Sequence, residues 1–201
     1  MYRLSNGYGY IMLCMLKPWK VTKTTVIHKT PWMEFIEDQC ESNGKTATYT
    51  YMNRTDQGPL IIPEADDRSL WMVRQYRHPI RKIIWQFPVE GKLKQESWED
   101  AARRGLAEEL HIAAQTIQYL GTSYPSPGDG AQAAQFYLAQ GLSPLEHGVV
   151  PHDGSEIEEL ETRAFTRPEI DAMIDAGAIC DSWTLTALFM YDRYTNNHGN
   201  P

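Results

Sequence analysis

Apolar and polar residues alternate in three short segments near the front of the chain, the pattern of half-buried strands. A turn sequence, Ser42-Asn43-Gly44-Lys45, separates the last two segments. We therefore predict a small β subdomain that, together with an N-terminal extension, occupies residues 1–57. The predicted strands are residues 25–28, 33–40 and 46–52.

The rest of the chain mixes strand and helix patterns. Thr166, followed by Glu169 at the spacing of a capping box, predicts a helix start, and a further helix is predicted over residues 182–194. This order predicts an α/β fold with a mixed sheet between helices, as one domain over residues 58–195, followed by a flexible tail at 196–201. The predicted strands here are residues 60–62, 69–76, 83–87, 116–121, 133–139 and 159–165.

A helical pattern over residues 98–112 carries an acidic residue where an apolar one is expected. On a helical wheel Glu109 falls on the same side as Leu106, which predicts that it is buried. A buried carboxylate is normally neutralised, paired with a cation or bound to a metal. With Glu108 beside it, the pair suits Mg²⁺, which binds through a few carboxylates, waters and substrate phosphates. The alternative is a solvated acidic face on which Arg104 pairs with Glu108.

Composition narrows the possible partners. The 201-residue chain carries a net charge of −7, which argues against nucleic-acid binding because that depends on clustered Lys and Arg. Its three cysteines are too few and too widely spaced to predict a disulfide framework or a zinc site, so we expect a reducing, cytoplasmic location. The apolar segment at residues 8–16 is too short to span a membrane, and no membrane partner is expected.

The segment around the acidic helix resembles the signature of the Nudix hydrolases, in which a Gly and then a Glu precede a helix of the form Arg-Glu-x-x-Glu-Glu-x-Gly. Residues 73–79 and 85–88 resemble the strand pair before this signature in the ADP-ribose pyrophosphatase branch, and residues 124–128 resemble its Ser-Pro-Gly loop. The resemblance covers about residues 24–192 and implies the Nudix α/β/α sandwich with a mixed sheet. Within the signature it is carried by Pro88, Gly91, Glu96, Ala101, Ala102, Arg103, Arg104, Leu106, Glu108, Glu109 and Ile112.

The chain departs from the family pattern at several positions. Position 105, where the first metal-binding Glu of the family helix belongs, is Gly, and the closing Gly is replaced by His111. Gly91 lies one residue later than the family Gly when the segment is aligned on Pro88 and Glu96. In the Ser-Pro-Gly loop region, Gln132 stands where an acid is common. A catalytically weakened site is therefore an alternative to a working one.

The resemblance implies metal-assisted attack of water on a pyrophosphate, with Mg²⁺ as the metal and Mn²⁺ as a possible substitute. It assigns Glu108 and Glu109 to the metal, together with the backbone carbonyl of Val89. Glu96 either joins these ligands or orients Arg104, which the resemblance places among the catalytic residues.

The base that activates the water belongs, by the same resemblance, to a late loop before the strand that begins near Leu160. The alignment selects Glu158, and Glu156 is a substitute in the same loop. An acidic surface loop without a catalytic role is the alternative.

Three residues are implied in substrate binding. Arg77 matches a residue that contacts phosphate or ribose, although an edge-strand surface Arg is equally compatible with its position. Trp32 resembles an aromatic that stacks on the base from the front domain of a partner subunit, with a core or interface Trp as the alternative. Gly128 belongs to the Ser-Pro-Gly loop. The stacking interpretation predicts a homodimer.

The leading prediction is Mg²⁺-dependent hydrolysis of ADP-ribose or a related nucleoside diphosphate sugar to a nucleoside monophosphate and a sugar phosphate. One alternative is a Nudix-fold module that binds or senses such ligands with weakened turnover, motivated by Gly105 and Gln132. Another is a Nudix pyrophosphatase for a different nucleotide. If the site is only weakened, Gly105→Glu is expected to raise turnover.

Overall fold

The computed structural model describes residues 17–54, 57–145 and 161–198. Nine strands and three α-helices lie within these ranges. The strands are β1 (Lys20–Lys29), β2 (Met33–Ser42), β3 (Lys45–Arg54), β4 (Pro59–Pro63), β5 (Leu70–Arg77), β6 (Lys82–Gln86), β7 (Ile112–Ser123), β8 (Ala134–Pro144) and β9 (Glu161–Phe165). The helices are α1 (Trp98–Leu110), α2 (Arg167–Asp175) and α3 (Ser182–His198).

The strands form three sheets of three strands each. β1, β2 and β3 pair antiparallel in that order and form the small sheet predicted at the front of the chain. All residues of β1 are exposed, so this strand is not half-buried as the alternating pattern predicts. In the second sheet β4 pairs parallel with β8, which pairs antiparallel with β7. The third sheet has the order β6-β5-β9 and is antiparallel. One parallel pair among antiparallel pairs makes the second sheet mixed, and the predicted α/β class is confirmed.

β4 shows why the fold is a sandwich, since all five of its residues are buried. Successive side chains of a strand point to opposite faces. Leu60 and Ile62 belong to one apolar cluster, which includes α3 residues such as Leu188, whereas Ile61 belongs to a second cluster with Leu106 of α1. The sheet therefore buries both faces, one under α1 and the other under α3.

The front sheet is joined to the rest of the structure through the loop that follows β7. The N–H of Met52 in β3 donates to the carbonyl of Asp129 at 2.9 Å, and the N–H of Ala131 donates to the carbonyl of Met52 at 3.2 Å. The Tyr49 hydroxyl donates to the carbonyl of Gly128 at 2.6 Å. These bonds attach the predicted Ser-Pro-Gly loop to β3. The division into domains at residues 57 and 195 stays a prediction.

Two local expectations can be compared directly with the helices. The capping box of α2 is confirmed, because Thr166 and Glu169 bond reciprocally at its start. The end predicted for α1, at residue 112, is two residues too late, because His111 adopts a left-handed conformation that ends the helix. In the described part of the chain, no helix is both long and apolar enough to cross a membrane.

Candidate active site

α1 begins at a well-formed N-cap that fixes the loop before it. The Ser97 side chain accepts a hydrogen bond from the N–H of Asp100 at 3.0 Å, and its hydroxyl donates to the Asp100 carboxylate at 2.7 Å. Two acidic residues, Glu99 and Asp100, lie in the first turn, where the helix dipole favours negative charge. The start of α1 is thus fixed next to the loop of residues 87–97.

The buried side of α1 differs from the predicted stripe at its last turn. Ala102, Leu106 and Leu110 are buried at spacings of four residues, whereas Glu109 is half-buried. The prediction that Glu109 occupies a core position is wrong, because the buried row runs through Leu110 instead. The predicted metal-binding role of Glu109 therefore depends on the resemblance and not on burial.

The guanidinium of Arg104 lies among three carboxylates and one carbonyl. It holds Glu96 by two bonds, Nε to Oε1 at 3.0 Å and Nη2 to Oε2 at 2.9 Å. Its Nη1 lies 2.9 Å from Oε1 of Glu90 and 3.2 Å from Oε2 of Glu108. Nη2 also donates to the carbonyl of Gly91 at 2.6 Å. Arg104 thereby joins the loop to the outer side of α1.

These contacts set the acidity of the carboxyl groups. The hydrogen bond from Arg104 holds the pKa of Glu96 below its usual value. Burial is the main cause that raises the pKa of Glu90, and the neighbouring Glu108 carboxylate acts in the same direction. The same partners, Glu96 first, raise the pKa of Arg104, which stays cationic. Three glutamates surround the Arg104 guanidinium, with Lys92 as a further cation near Glu96, so the carboxylates outnumber the nearby cations, an arrangement that favours a bound cation.

The residues here fit Mg²⁺ as it is bound in phosphate-processing sites. No three His, Cys, Asp or Glu side chains among the described residues are arranged to hold a metal by themselves. Such a cage is not required, because Mg²⁺ is usually held by one or two carboxylates, waters and substrate phosphates. Glu90 and Glu108 converge on one guanidinium nitrogen, so two carboxylates lie close together here.

The geometry around Val89 is compatible with its predicted role. Val89 faces Leu60 of β4 in an antiparallel bridge whose bonds run from Ile61 N–H to the carbonyl of Pro88 and from Glu90 N–H to the carbonyl of Pro59. Val89 and Leu60 thus form a non-hydrogen-bonded pair. The carbonyl of Val89 therefore points away from β4.

The predicted substrate-binding residues lie outside the Arg104 network. Arg77 ends β5, where its Nε donates to the side-chain oxygen of the buried Gln86 at 2.9 Å. Trp32 lies between β1 and β2 and is 61% exposed, so it is not a core residue of this chain. Gly128 lies in the loop bonded to β3. Glu156 and Glu158 lie outside the described residues.

A cavity of about 190 Å³ lies between the front sheet and the Ser-Pro-Gly loop. Gln132, which the sequence analysis named in this loop region, lines the cavity together with Asp129. Its other walls come from β2, β3 and the loop, and they are Met33, Met52, Arg54, Pro125, Ser126 and Gly130. The front sheet therefore contributes to a concave surface beside the main domain.

Glu90 is the residue of this site that sequence reasoning missed. A signal was present, because Gly91 lies one residue later than the family Gly, which places Glu90 at the family's Gly position. The chain thus has Glu where the family has Gly, and Gly105 where the family has Glu. Only the fold shows that these two positions touch.

Comparison with known proteins places the chain in a family. Residues 55–180 match the model of the NUDIX domain, and the chain belongs to the NUDIX domain family. It is 27% identical over 155 residues to the ADP-ribose pyrophosphatase of Bacillus subtilis (strain 168), an alignment that covers 77% of this chain and 81% of the relative. It is also 29% identical over 171 residues to the methanol dehydrogenase activator of Bacillus methanolicus, covering 84% and 90%.

A solved structure has a similar fold. The crystal structure of an ADP compounds hydrolase superposes with a TM-score of 0.80 at 20% identity, and the match covers 92% of this chain and 97% of that one. The predicted Nudix architecture is confirmed.

Proposed function

We propose that the protein is a Mg²⁺-dependent pyrophosphohydrolase of ADP-ribose or a related nucleoside diphosphate sugar, which releases a nucleoside monophosphate and a sugar phosphate. The observation that carries the proposal is the group of carboxylates around Arg104 on a Nudix fold. The alignment with the Bacillus subtilis ADP-ribose pyrophosphatase, which covers most of both chains, supports the choice of substrate class.

The residues of α1 and of the loop before it have different roles. Glu108 and Glu109 hold the metal together with the carbonyl of Val89. Glu96 has both carboxylate oxygens on Arg104, and one of them also accepts from Leu93 N–H, which supports an orienting role over direct ligation. When bound, Mg²⁺, or Mn²⁺ in its place, neutralises charge on the pyrophosphate oxygens. Arg104 keeps the carboxylates in position for that ion.

The base belongs to the loop before β9, with Glu158 as the first candidate and Glu156 as the second. Each would take a proton from the attacking water. Comparison of Glu158→Gln with Glu156→Gln identifies the base, because only substitution of the base is expected to lower kcat by about 10²-fold or more.

Substrate recognition uses the other predicted residues. Arg77 contacts phosphate or ribose, and the Gly128 loop approaches the substrate from beside the cavity. Trp32, exposed on the front sheet, stacks on the base bound by a second copy of the chain, which makes the active form a homodimer. The same proposal places the enzyme in the cytoplasm.

A second candidate is a module of the same fold that binds ADP-ribose-like ligands with weakened turnover. The observation that favours it is Gly105, which removes a carboxylate from α1. One relative also bears the name of an activator and not of a hydrolase.

The proposal is tested by product analysis. Purified protein is incubated with Mg²⁺ and, separately, ADP-ribose, ADP-glucose and a nucleoside triphosphate, and products are separated by ion-exchange chromatography. We expect AMP and ribose 5-phosphate from ADP-ribose. Release only from the triphosphate would favour a different Nudix substrate, and ligand binding without release would favour the sensing module.

A further inference from the structure

Position 105 has no room for a side chain because Glu90 already fills the space. A Cβ added at Gly105 would lie 2.7 Å from Cβ of Glu90 and 3.2 Å from Cδ1 of Ile61. Two carbon atoms do not approach this closely without a shift of one of them. The two positions therefore share the volume of one side chain.

The backbone of Glu90 is fixed, so this overlap is not relieved by a movement of the loop. Its N–H donates to the carbonyl of Pro59 at 3.2 Å, and the N–H of Lys92 donates to the carbonyl of Gln57 at 3.0 Å. On the other side, a Cβ at Gly58 would lie 1.5 Å from the carbonyl oxygen of Glu90. The loop is thus packed directly against the start of β4.

The carboxylate of Glu90 ends beside a predicted metal ligand. Its Oε1 lies 2.9 Å from Nη1 of Arg104, the same nitrogen that Oε2 of Glu108 approaches at 3.2 Å. The Glu90 side chain is only 18% exposed. It lies over α1 at Gly105 and directs its charge to the outer side of the helix, next to Glu108.

We propose that Glu90 is a metal ligand that supplies the carboxylate absent from position 105. Compared with the family pattern, Glu and Gly are exchanged: Glu lies in the loop at position 90 and Gly lies in the helix at position 105. The number of carboxylates at the site is therefore unchanged. This inference rests on the proposed function, because it concerns the metal of that site. It also reverses an expectation from the sequence: Gly105→Glu alone weakens metal binding, since the new side chain collides with Glu90.

The test measures metal binding directly and does not depend on turnover. Metal-free protein is titrated with Mn²⁺, and free Mn²⁺ is followed by electron paramagnetic resonance. The variants are Glu90→Gln, Gly105→Glu and the double exchange Glu90→Gly/Gly105→Glu. Asp171→Asn, which removes one charge from an exposed ion pair on α2, is the matched control. Thermal unfolding by circular dichroism without metal shows which variants are folded.

We expect Glu90→Gln to weaken Mn²⁺ binding by roughly tenfold or more, and Asp171→Asn to leave it unchanged. The double exchange is expected to recover most of the affinity that each single change loses. Recovery would show that a carboxylate at position 105 replaces the one removed from position 90.

Unchanged affinity in folded Glu90→Gln overturns the inference, and so does a folded double variant no better than the single ones. If the double variant does not fold, the isosteric Glu90→Gln decides alone. If Glu90→Gln binds Mn²⁺ normally while the wild type hydrolyses ADP-ribose, the inference fails and the proposed function stands. If Mn²⁺ binding depends on Glu90 but no pyrophosphate is cleaved, the inference stands and the proposed function fails.

Discussion

Arg104 holds Glu96 in a two-bond fork, with Nε 3.0 Å from one carboxylate oxygen and Nη2 2.9 Å from the other. The planar guanidinium matches a carboxylate in a way that an ammonium group does not. Because the same group reaches Glu90, Glu108 and the carbonyl of Gly91, one side chain sets the position of the loop relative to α1.

Arg104→Lys is expected to release the loop while keeping a positive charge. The fork and the bond to Gly91 are lost, which lowers the free energy of unfolding by about 1–2 kcal/mol, discounted because Arg104 is 26% exposed. We also expect a fall in kcat of roughly 10-fold or more, since the carboxylates lose their fixed geometry. Urea unfolding and AMP release measure the two effects. Arg74→Lys, in the exposed ion pair with Glu161, is the control, and equal losses in the two variants would contradict this expectation.

His111 ends α1 in a left-handed conformation, with φ 54° and ψ 39°. This conformation costs a residue with a Cβ roughly 1 kcal/mol, and Gly avoids that cost. His111→Gly is expected to raise the free energy of unfolding by about 0.5–1 kcal/mol in urea titrations. His111→Ala keeps the strained backbone and loses the contact of Nδ1 with the carbonyl of Ala107, so it should give no gain. A destabilised Gly variant would show that the side-chain contact matters more than the strain.

Glu64 is a buried carboxylate whose partners join three elements. The Tyr191 hydroxyl of α3 donates to it at 2.6 Å, the Gln140 amide of β8 donates at 2.6 Å, and Arg68 lies 2.9 Å away. Burial raises the pKa of Tyr191, which stays protonated and can donate.

Tyr191→Phe leaves the buried Glu64 carboxylate without one of its donors. We expect a loss of about 1.5–3 kcal/mol in the free energy of unfolding, the range for a hydrogen bond to a charged group. Tyr194→Phe, on the same helix, is the matched control in the urea titration. A difference between the two variants below about 0.5 kcal/mol would mean that water or Arg68 compensates the carboxylate.

The front sheet exposes large apolar side chains, among them Val26 and Ile27 of β1 and Phe35 of β2. Large exposed apolar side chains on a sheet favour association. Light scattering after size exclusion is expected to give twice the 23.0 kDa mass of one chain. Ile27→Lys should shift the protein toward monomer, whereas Ile83→Lys, at an exposed apolar position of β6, should not. A wild-type monomer at all concentrations would refute the homodimer and the stacking role of Trp32.

Local signals predicted most of the elements. α1 begins at Trp98, as its periodic pattern indicates, and the capping box places the start of α2 correctly. β7 is longer than predicted, from Ile112 to Ser123, because its pairing with β8 continues past the alternating segment. Strand length depends on a partner that is distant in sequence.

The site was less predictable because it depends on contacts between distant residues. The helical wheel predicted Glu109 to be in the core, but in the structure the buried row of α1 ends at Leu110. The roles of Glu90 and Gly105 appear only when the loop packs on α1. Glu96 and Arg104 are eight residues apart, and their two-bond contact supports the orienting role that the sequence left open.

We propose that the carboxylates of α1 support metal-dependent cleavage of a pyrophosphate. The most direct measurement is AMP release from ADP-ribose with Mg²⁺, and then Mn²⁺, by the wild type and by Glu109→Gln. We expect release that requires the metal and falls by at least about 10²-fold in the variant. Release that is independent of the metal, or equal in the two proteins, would contradict it.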